Sequence, residues 1–340
     1  MGNDITYMRG RNNLAVTLFV PWDCGRNCSF CTTKAEYRDM HGFSLNKQIN
    51  TLTQIWYNSD ISDVVITGGE PFADIPQLGE LFSIIKALWS LSHKNVFINT
   101  SKYDYPPEQF EELTRLIHTY SQCIQGVSVS NHIDNEWCPT DSPFIQLLRN
   151  HDIPVKMNCI VDHNSVTAME LIKFVLKWQY VVDTISFRRD YRTVLDDADL
   201  RDCDSVVKCL IDLFGRMTES GCEVCHDNVF KDGKVHYHRG YKTTSRPSSG
   251  NIIAVNDVII KQDGTLYVDW EGSDPITPIE LSQQWMAVSK QPVSGLSLYE
   301  AKEAFKSDYL FATTHGYRTT CGGGGCGNAV SYHTCGGGGC

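Results

Sequence analysis

The chain has 340 residues, 41% of them hydrophobic, which is enough to bury the core of one large domain or of a large and a small one. Its formal net charge of −10 argues against a broad nucleic-acid-binding surface, although a local basic site is compatible with it. No run of about 18 apolar residues is present, and the first residues lack the apolar stretch of a secretion signal, so we expect a cytoplasmic protein with no membrane partner.

Short β-branched runs alternate with longer amphipathic segments between residue 14 and about residue 190. The predicted strands cover residues 14–20, 63–67, 95–99, 125–130, 155–161 and 183–188. The predicted helices cover residues 44–56, with Ser44 as the N-cap, and residues 77–90, 106–119, 142–150 and 165–179. Because parallel strands need crossover helices, this alternation predicts an α/β fold with a parallel sheet of six strand–helix units.

The pattern changes near residue 200, where we place a domain boundary: residues 1–200 form the strand–helix domain and residues 201–340 a C-terminal α+β extension rich in cysteine. We predict a helix over 199–219, a long loop over 231–250, strands over 251–260 and 265–270 joined by a turn at Gln262-Asp-Gly264, and helices over 278–289 and 297–307. His236, His238 and His315 are candidate acid–base groups, although solvated loop histidines are the more common case and are expected here.

Three cysteines lie within eight residues, in Cys24-Gly-Arg-Asn-Cys28-Ser-Phe-Cys31, directly after the first predicted strand. A structural zinc site uses four ligands, whereas three thiolates suit a 4Fe–4S cluster with one open iron. Three core cysteines, or a zinc knuckle that lacks a ligand, are the alternatives. The C-x3-C-x2-C spacing, with the aromatic Phe30 before the last cysteine, resembles the signature of the radical S-adenosylmethionine (radical SAM) superfamily.

This resemblance implies both a fold and a reaction. The fold is a partial (β/α)6 barrel of the TIM type. In the superfamily the open iron binds the amino and carboxylate groups of S-adenosylmethionine, and one electron from the cluster cleaves the sulfonium to give a 5′-deoxyadenosyl radical. Cys24, Cys28 and Cys31 would therefore hold the cluster and serve the catalytic step, with an electron donor such as flavodoxin or ferredoxin.

A second motif, Gly68-Gly69-Glu70-Pro71, ends the second predicted strand. Glycines there allow the backbone to approach a ligand closely, and Glu70 can receive an ammonium group. Taken alone the motif is weak, because Gly-Gly turns after strands are common. About 40 residues after the cysteine loop, it resembles the GGEP motif of the radical SAM superfamily, which contacts the amino group of S-adenosylmethionine.

Polar residues end the later predicted strands and are further candidates for binding S-adenosylmethionine. The candidates are Asn99, Ser101, Ser130, Asn158 and Arg188. Ser130 and Asn158 occupy places where superfamily members hold the methionine carboxylate or the ribose hydroxyls, and Arg188 can bind a carboxylate through two hydrogen bonds. For each residue the alternative is an ordinary solvated strand end.

The C-terminal tail contains an internal repeat, in which Thr320-Cys-Gly-Gly-Gly-Gly-Cys326 recurs as Thr334-Cys-Gly-Gly-Gly-Gly-Cys340. Cys321, Cys326, Cys335 and Cys340 are spaced to hold one metal centre. Three interpretations of these cysteines are open: an auxiliary iron–sulfur cluster, a zinc site, or redox-active or modified cysteines. The tail resembles the SPASM or twitch extensions of radical SAM enzymes in place but not in spacing. Cys222 and Cys225 are further candidate ligands.

These features together predict a radical SAM enzyme that abstracts hydrogen from a substrate held at the mouth of the barrel. The cysteine-rich extension resembles that of peptide- and protein-modifying members, so a peptide or protein is the expected substrate, for ribosomal peptide modification or enzyme maturation. A small metabolite or nucleoside is the alternative substrate. A non-catalytic iron–sulfur or zinc scaffold is the alternative of another class.

Overall fold

The computed structural model of the chain describes residues 6–9, 13–26, 28–31, 42–58, 61–133, 138–162, 165–190, 205–215, 218–219, 227–230, 233–238, 245–249, 252–255, 257–268, 275–278, 319–322 and 325–328.

The first part of the chain forms seven strands and five helices among these residues. They are β1 (Thr6–Arg9), β2 (Asn13–Val20), α1 (Leu45–Asn58), β3 (Ile61–Gly68), α2 (Ile75–Leu91), β4 (Asn95–Thr100), α3 (Pro107–Tyr120), β5 (Gly126–Ser130), α4 (Pro143–Asn150), β6 (Val155–Val161), α5 (Ala168–Trp178) and β7 (Thr184–Arg189). The second part is richer in short strands. It forms α6 (Ser205–Phe214), β8 (Thr218–Glu219), β9 (Asp227–Phe230), β10 (Val235–His238), β11 (Ser245–Ser249), β12 (Ile252–Val255), β13 (Asp257–Ile260), β14 (Leu266–Tyr267), β15 (Pro275–Ile276), β16 (Thr319–Gly322) and β17 (Gly325–Asn328).

Strands β2 to β7 pair in chain order, each parallel to the next. The predicted α/β fold with six parallel strands is therefore confirmed. The sheet is not closed, because in the described part of the chain its end strands β15 and β8 each pair with a single neighbour. A partial barrel, open along one side, is the result.

Side-chain caps determine where two of the helices begin. Asp74 accepts a hydrogen bond from the backbone N–H of Gln77 at the start of α2. Thr167 and Glu170 form a capping box at the start of α5, which explains why that helix begins at Ala168 and not at residue 165 as predicted.

Strands from the second part of the chain extend the parallel sheet at both ends. β13 pairs parallel with β2, and β10 pairs parallel with β7. β13 also forms an antiparallel hairpin with β14, which confirms the predicted turn at Gln262-Asp-Gly264. The domain boundary near residue 200 stays a prediction.

Three expectations for the second part of the chain are wrong. The helix predicted to reach residue 219 ends at Phe214, because Gly215 adopts a positive φ of 80°. The predicted loop 231–250 contains β10 and β11. The predicted strand 251–260 is two strands, since β12 pairs with β1 and β11 whereas β13 pairs with β2. Local propensity was overridden here by pairing partners that are distant in the sequence.

Several predictions fall outside the described residues. They concern the helices over 278–289 (apart from its first residue) and 297–307, His315, and the cysteines Cys222, Cys225, Cys335 and Cys340. None of the described helices is long and apolar enough to cross a membrane.

The two faces of the parallel sheet differ in polarity. Alternate strand residues, such as Val127 and Val129 of β5, join one continuous apolar core. The residues between them form the opposite face, which we call the polar face. It carries Thr17, Asn99, Ser128, Ser130, Lys156, Asn158, Thr184, Ser186, Arg188, His236 and His238, all of which are buried except Arg188, which is half-buried. A buried face with so many hydrogen-bonding groups is typical of a ligand chamber, because hydrocarbon packing does not need them.

Candidate active site

The three cysteines of the first motif follow the carboxyl end of β2. Cys24 and Cys28 are buried and Cys31 is half-buried, and none of the three forms a disulfide. They share a small cluster with Phe19 of β2 and Ile259 of β13, against which Phe30 also packs. Three reduced thiols in an apolar setting at a strand end are a donor set that fits an iron–sulfur cluster. Within the described residues no group of three His, Cys, Asp or Glu side chains is arranged to hold a metal ion.

Arg26 attaches the cysteine loop to the segment that follows β4. Its guanidinium donates to the carbonyl of Ser101 at 3.3 Å, lies 3.8 Å from the Asp104 carboxylate and stands 5.0 Å from the centre of the Tyr103 ring. Asp104 is largely exposed, so the ion pair adds no more than about 1 kcal/mol. The contacts act together as a clamp on the loop, which the motif spacing did not indicate.

Gly68 and Gly69 bring the second motif against the backbone that leads to the first. Gly69 donates its N–H to Val20 O at 2.7 Å, and Glu70 donates its N–H to Trp22 O at 2.9 Å. Gly68 has a φ of 121°, which disfavours any other residue. We expected these glycines to let the backbone approach a ligand closely. In the structure they instead let it approach the backbone of Trp22, two residues before Cys24.

Glu70 is buried, and its carboxylate accepts four hydrogen bonds. Oε1 accepts from Thr100 Oγ1 at 2.5 Å and from Phe72 N at 3.1 Å, while Oε2 accepts from Ser101 N at 2.8 Å and Ser101 Oγ at 3.0 Å. Burial raises the pKa of Glu70, whereas these hydrogen bonds oppose the rise. Burial and then the charge of Glu70 also hold the pKa of Tyr105 well above its usual range. Glu70 therefore joins the ends of β3 and β4, and its contact with S-adenosylmethionine stays a prediction.

Strand register places four buried polar residues in one row of the polar face. Ser130 of β5 lies beside Asn158 of β6, which lies beside Ser186 of β7, which lies beside His236 of β10. The predicted pair Ser130 and Asn158 is thus brought together. Ser186 and His236 were missed as members of this row. The place of Ser186 depends on the register between β6 and β7, and nothing in the sequence indicated that β10, which carries His236, would pair with β7.

Three oxygens of the polar face are buried without a hydrogen-bond partner among the described residues. They are Asn99 Oδ1, Asn158 Oδ1 and Ser186 Oγ. Burying such a group unpaired costs about 1–3 kcal/mol, so these oxygens indicate a ligand that supplies N–H or O–H donors. S-adenosylmethionine has both, in its ammonium group and its ribose hydroxyls, and the residues therefore fit that cofactor.

Arg188 is half-buried and pairs in register with His238 of β10. The two β10 histidines are buried, and their rings lie nearly parallel with 6.3 Å between centroids. His236 Nε2 is 2.7 Å from Gly233 O. The expectation of solvated loop histidines is therefore wrong, and the binding role predicted for Arg188 stays a prediction.

His132 is a buried residue near the cysteine motif that the sequence did not single out. It follows β5, its Nδ1 accepts from Ile160 N at 3.0 Å, and its ring meets that of Phe30 edge to face at 4.7 Å. Burial lowers the pKa of His132 to about 4. A neutral imidazole thus supports Phe30 at neutral pH.

Replacing His132 with asparagine is expected to reduce the acid sensitivity of the fold. The unfolded chain takes up a proton near pH 6.5 and the folded chain only near pH 4, so stability is lost as pH falls through this window. For the wild type, this proton linkage gives a loss of about 2 kcal/mol in unfolding free energy between pH 7 and pH 5. H132N would not show this loss, while its side-chain amide oxygen still accepts a hydrogen bond from Ile160 N. Thermal unfolding at several pH values measures this, and H118N, which changes an exposed histidine of α3, is the control. An unchanged pH slope in H132N would contradict the assignment.

Cys321 and Cys326 face each other in the register of the β16–β17 hairpin. β16 also pairs parallel with β2, at Thr320 with Asn13 and at Cys321 with Leu14. The first tail repeat is therefore attached to the strand that leads into the cysteine loop. A metal at the tail cysteines stays a prediction.

Comparison with known proteins found a family similar to the part of the chain that carries the cluster motif. Residues 10–139 match the family of the 4Fe-4S single cluster domain. No curated protein matches the chain. The match is to a family that holds a single 4Fe–4S cluster, as predicted for this motif, and S-adenosylmethionine as a cofactor stays a prediction.

Three solved structures are similar to the chain. The structure described as native anSMEcpe with bound AdoMet and Cp18Cys peptide is 12% identical over 88% of this chain and 83% of its own, with a TM-score of 0.46. BtrN in complex with AdoMet and 2-DOIA is 12% identical over 55% and 60%, with a TM-score of 0.27. The type I 3-dehydroquinate dehydratase of Clostridium difficile is 10% identical over 63% and 77%, with a TM-score of 0.32.

Proposed function

We propose that this chain is a radical SAM enzyme that abstracts hydrogen from a peptide or protein substrate. Its cluster would be held within residues 10–139, which match the 4Fe-4S single cluster domain. The observation that carries the proposal is the backbone pairing of Gly69 and Glu70 with Val20 and Trp22. It joins the second motif to the loop of the first at one edge of the sheet. Both motifs therefore border the polar face, where a cofactor and a substrate can meet.

The residues of the chain have separate tasks in this proposal. Cys24, Cys28 and Cys31 would hold the cluster as thiolates, and Asn99, Asn158 and Ser186 would accept hydrogen bonds from S-adenosylmethionine. When bound, these cofactors supply a 5′-deoxyadenosyl radical by one-electron cleavage of the sulfonium bond. The protein excludes water from the chamber and orients what is bound there. Phe30, held by His132, would cover the cluster side of this chamber.

A peptide substrate is supported by the open barrel. The end strands of the described sheet leave one side of the polar face uncovered by strands, and an extended chain needs more room than a small metabolite. The hairpin β16–β17 adds the cysteine-bearing extension that resembles peptide-modifying radical SAM enzymes. A small metabolite or nucleoside is the second candidate, favoured by the closely spaced polar groups of the Ser130–His236 row.

The auxiliary metal, the electron donor and the location belong to the same proposal. A second iron–sulfur cluster, held by Cys321, Cys326, Cys335 and Cys340, would raise the iron content of the reconstituted chain above that of one 4Fe–4S cluster. A flavodoxin- or ferredoxin-like protein would deliver the electron. A cytoplasmic location suits free thiols, because reducing compartments preserve them.

The test uses the full chain, reconstituted anaerobically with iron and sulfide and reduced with dithionite. With S-adenosylmethionine we expect slow release of 5′-deoxyadenosine, which a peptide substrate accelerates at least about tenfold while its own mass changes. Peptides encoded beside the gene are the first panel, and free nucleosides the second. Iron at about twice the content of one 4Fe–4S cluster supports the auxiliary site.

Each outcome decides between the readings. Acceleration and modification with nucleosides alone would replace the peptide by the second candidate. No 5′-deoxyadenosine from a chain with a complete cluster would contradict the enzymatic function and favour a scaffold.

A further inference from the structure

Ser101 lies between the two motifs. Its Oγ is 3.5 Å from Cys24 Sγ and 3.0 Å from Glu70 Oε2, and all three residues are buried. The clamp by Arg26 on the carbonyl of Ser101 fixes the backbone at this point. The position of the hydroxyl is thus set by contacts on both its backbone and its side chain.

The hydroxyl of Ser101 has one hydrogen for two acceptors. In the free thiol, Cys24 can donate its own hydrogen to Ser101 while Ser101 donates to Glu70. A thiolate has no hydrogen, so once Cys24 is a cluster ligand only Ser101 can donate along this contact. Glu70 Oε2 still accepts from the backbone N–H of Ser101 at 2.8 Å, so turning the hydroxyl leaves no buried acceptor empty.

We propose that Ser101 is a positioning residue that donates a hydrogen bond to the Cys24 sulfur and thereby raises the reduction potential of the cluster. The inference rests on the proposed function, since it requires Cys24 to be a cluster ligand. Reduction adds one electron from an external low-potential donor and makes the cluster and its sulfurs more negative. A hydrogen bond to a ligand sulfur stabilises this added charge and so favours the reduced state.

The test measures the midpoint potential of the reconstituted full chain by a redox titration followed by electron paramagnetic resonance. We expect S101A to bind as much iron and sulfide as the wild type but to have a more negative potential. S101T keeps the hydroxyl and is expected to restore a potential close to that of the wild type. S83A is the matched control, because the Ser83 hydroxyl lies on the exposed side of α2 and donates to Glu80 O. The potential of this variant should not shift.

A wild-type potential in S101A with a complete cluster would overturn the proposal. If S101A binds less iron, S101V takes its place and is compared with S101T, which has the same shape but keeps the hydroxyl. A more negative potential in S101V than in S101T supports the proposal, and equal potentials overturn it. A wild-type chain that binds no cluster contradicts the proposed function as well, and the iron count identifies that failure before any potential is measured.

Discussion

The Cys28→Ala variant is expected to release no 5′-deoxyadenosine above the background of a sample without enzyme. Cys28 is buried in the small cluster that also contains Cys24, so its loss leaves two thiols at a site that needs three. The iron and sulfide content should fall with the product, because a cluster held by two cysteines is open to solvent and oxygen. Metal analysis and mass spectrometry of the product measure the two effects on the same sample.

Cys123→Ala is the matched control for this result. Cys123 is also buried, but burial raises the pKa of Cys123 to about 11, so it remains a thiol and is a poor metal ligand. This variant should keep its iron and its activity, with a loss of about 1 kcal/mol in unfolding free energy. Full iron and product in C28A would show that Cys28 is not a ligand.

The Gly69→Ala variant is expected to lose both stability and iron. A Cβ at residue 69 would overlap the carbonyl oxygen of Trp22 and lie 3.0 Å from its carbonyl carbon, and both atoms belong to the backbone. Relief requires β3 to separate from the segment that leads to Cys24. We expect a loss of about 3 kcal/mol, or roughly 4 °C in Tm for a chain of this size. Thermal unfolding and the iron content after reconstitution measure the two losses.

Gly79→Ala is the control for backbone flexibility alone. Gly79 lies in α2, and the nearest atom to an added Cβ is Leu116 Cδ1 at 3.7 Å, which is an ordinary contact. Alanine is favoured over glycine inside a helix by about 0.5–1 kcal/mol, so Tm should stay the same or rise. A G69A variant as stable as the wild type would refute the role of Gly69 in joining the two motifs.

The central sheet was predictable because its strands are apolar on one face and bounded by strong turn and cap residues. The segment 155–161 was predicted to the residue, and α1 was found from Ser44 and the apolar spacing after it. The second part of the chain was not predictable in this way. β10 has the sequence Val-His-Tyr-His, and only its pairing with β7 and β9 makes it a strand.

Some features of the candidate site were also predictable from the sequence, and others were not. The two motifs were readable because the types and spacing of their residues are set by chemistry. The contacts between them were not, since Arg26, Ser101 and His132 act through positions that folding alone brings together. The same holds for Ser186 and His236, whose place in the polar row depends on strand register.

The pairing of β13 with β2 and of β10 with β7 has a consequence for biosynthesis. Ala15 of β2 leaves the ribosome early, but Asp257, with which it pairs in register, is synthesised much later. In the same way, β7 cannot pair with β10 until Val235 has been synthesised. Until then both strands carry unpaired backbone groups, which invite pairing with another chain, and long-range pairings of this kind form slowly. Residues 1–200 contain both motifs, but in a nascent chain of that length β2 and β7 are sheet edges that lack their partners β13 and β10. The part of the chain that carries both motifs therefore depends on later strands to complete the pairing of its sheet.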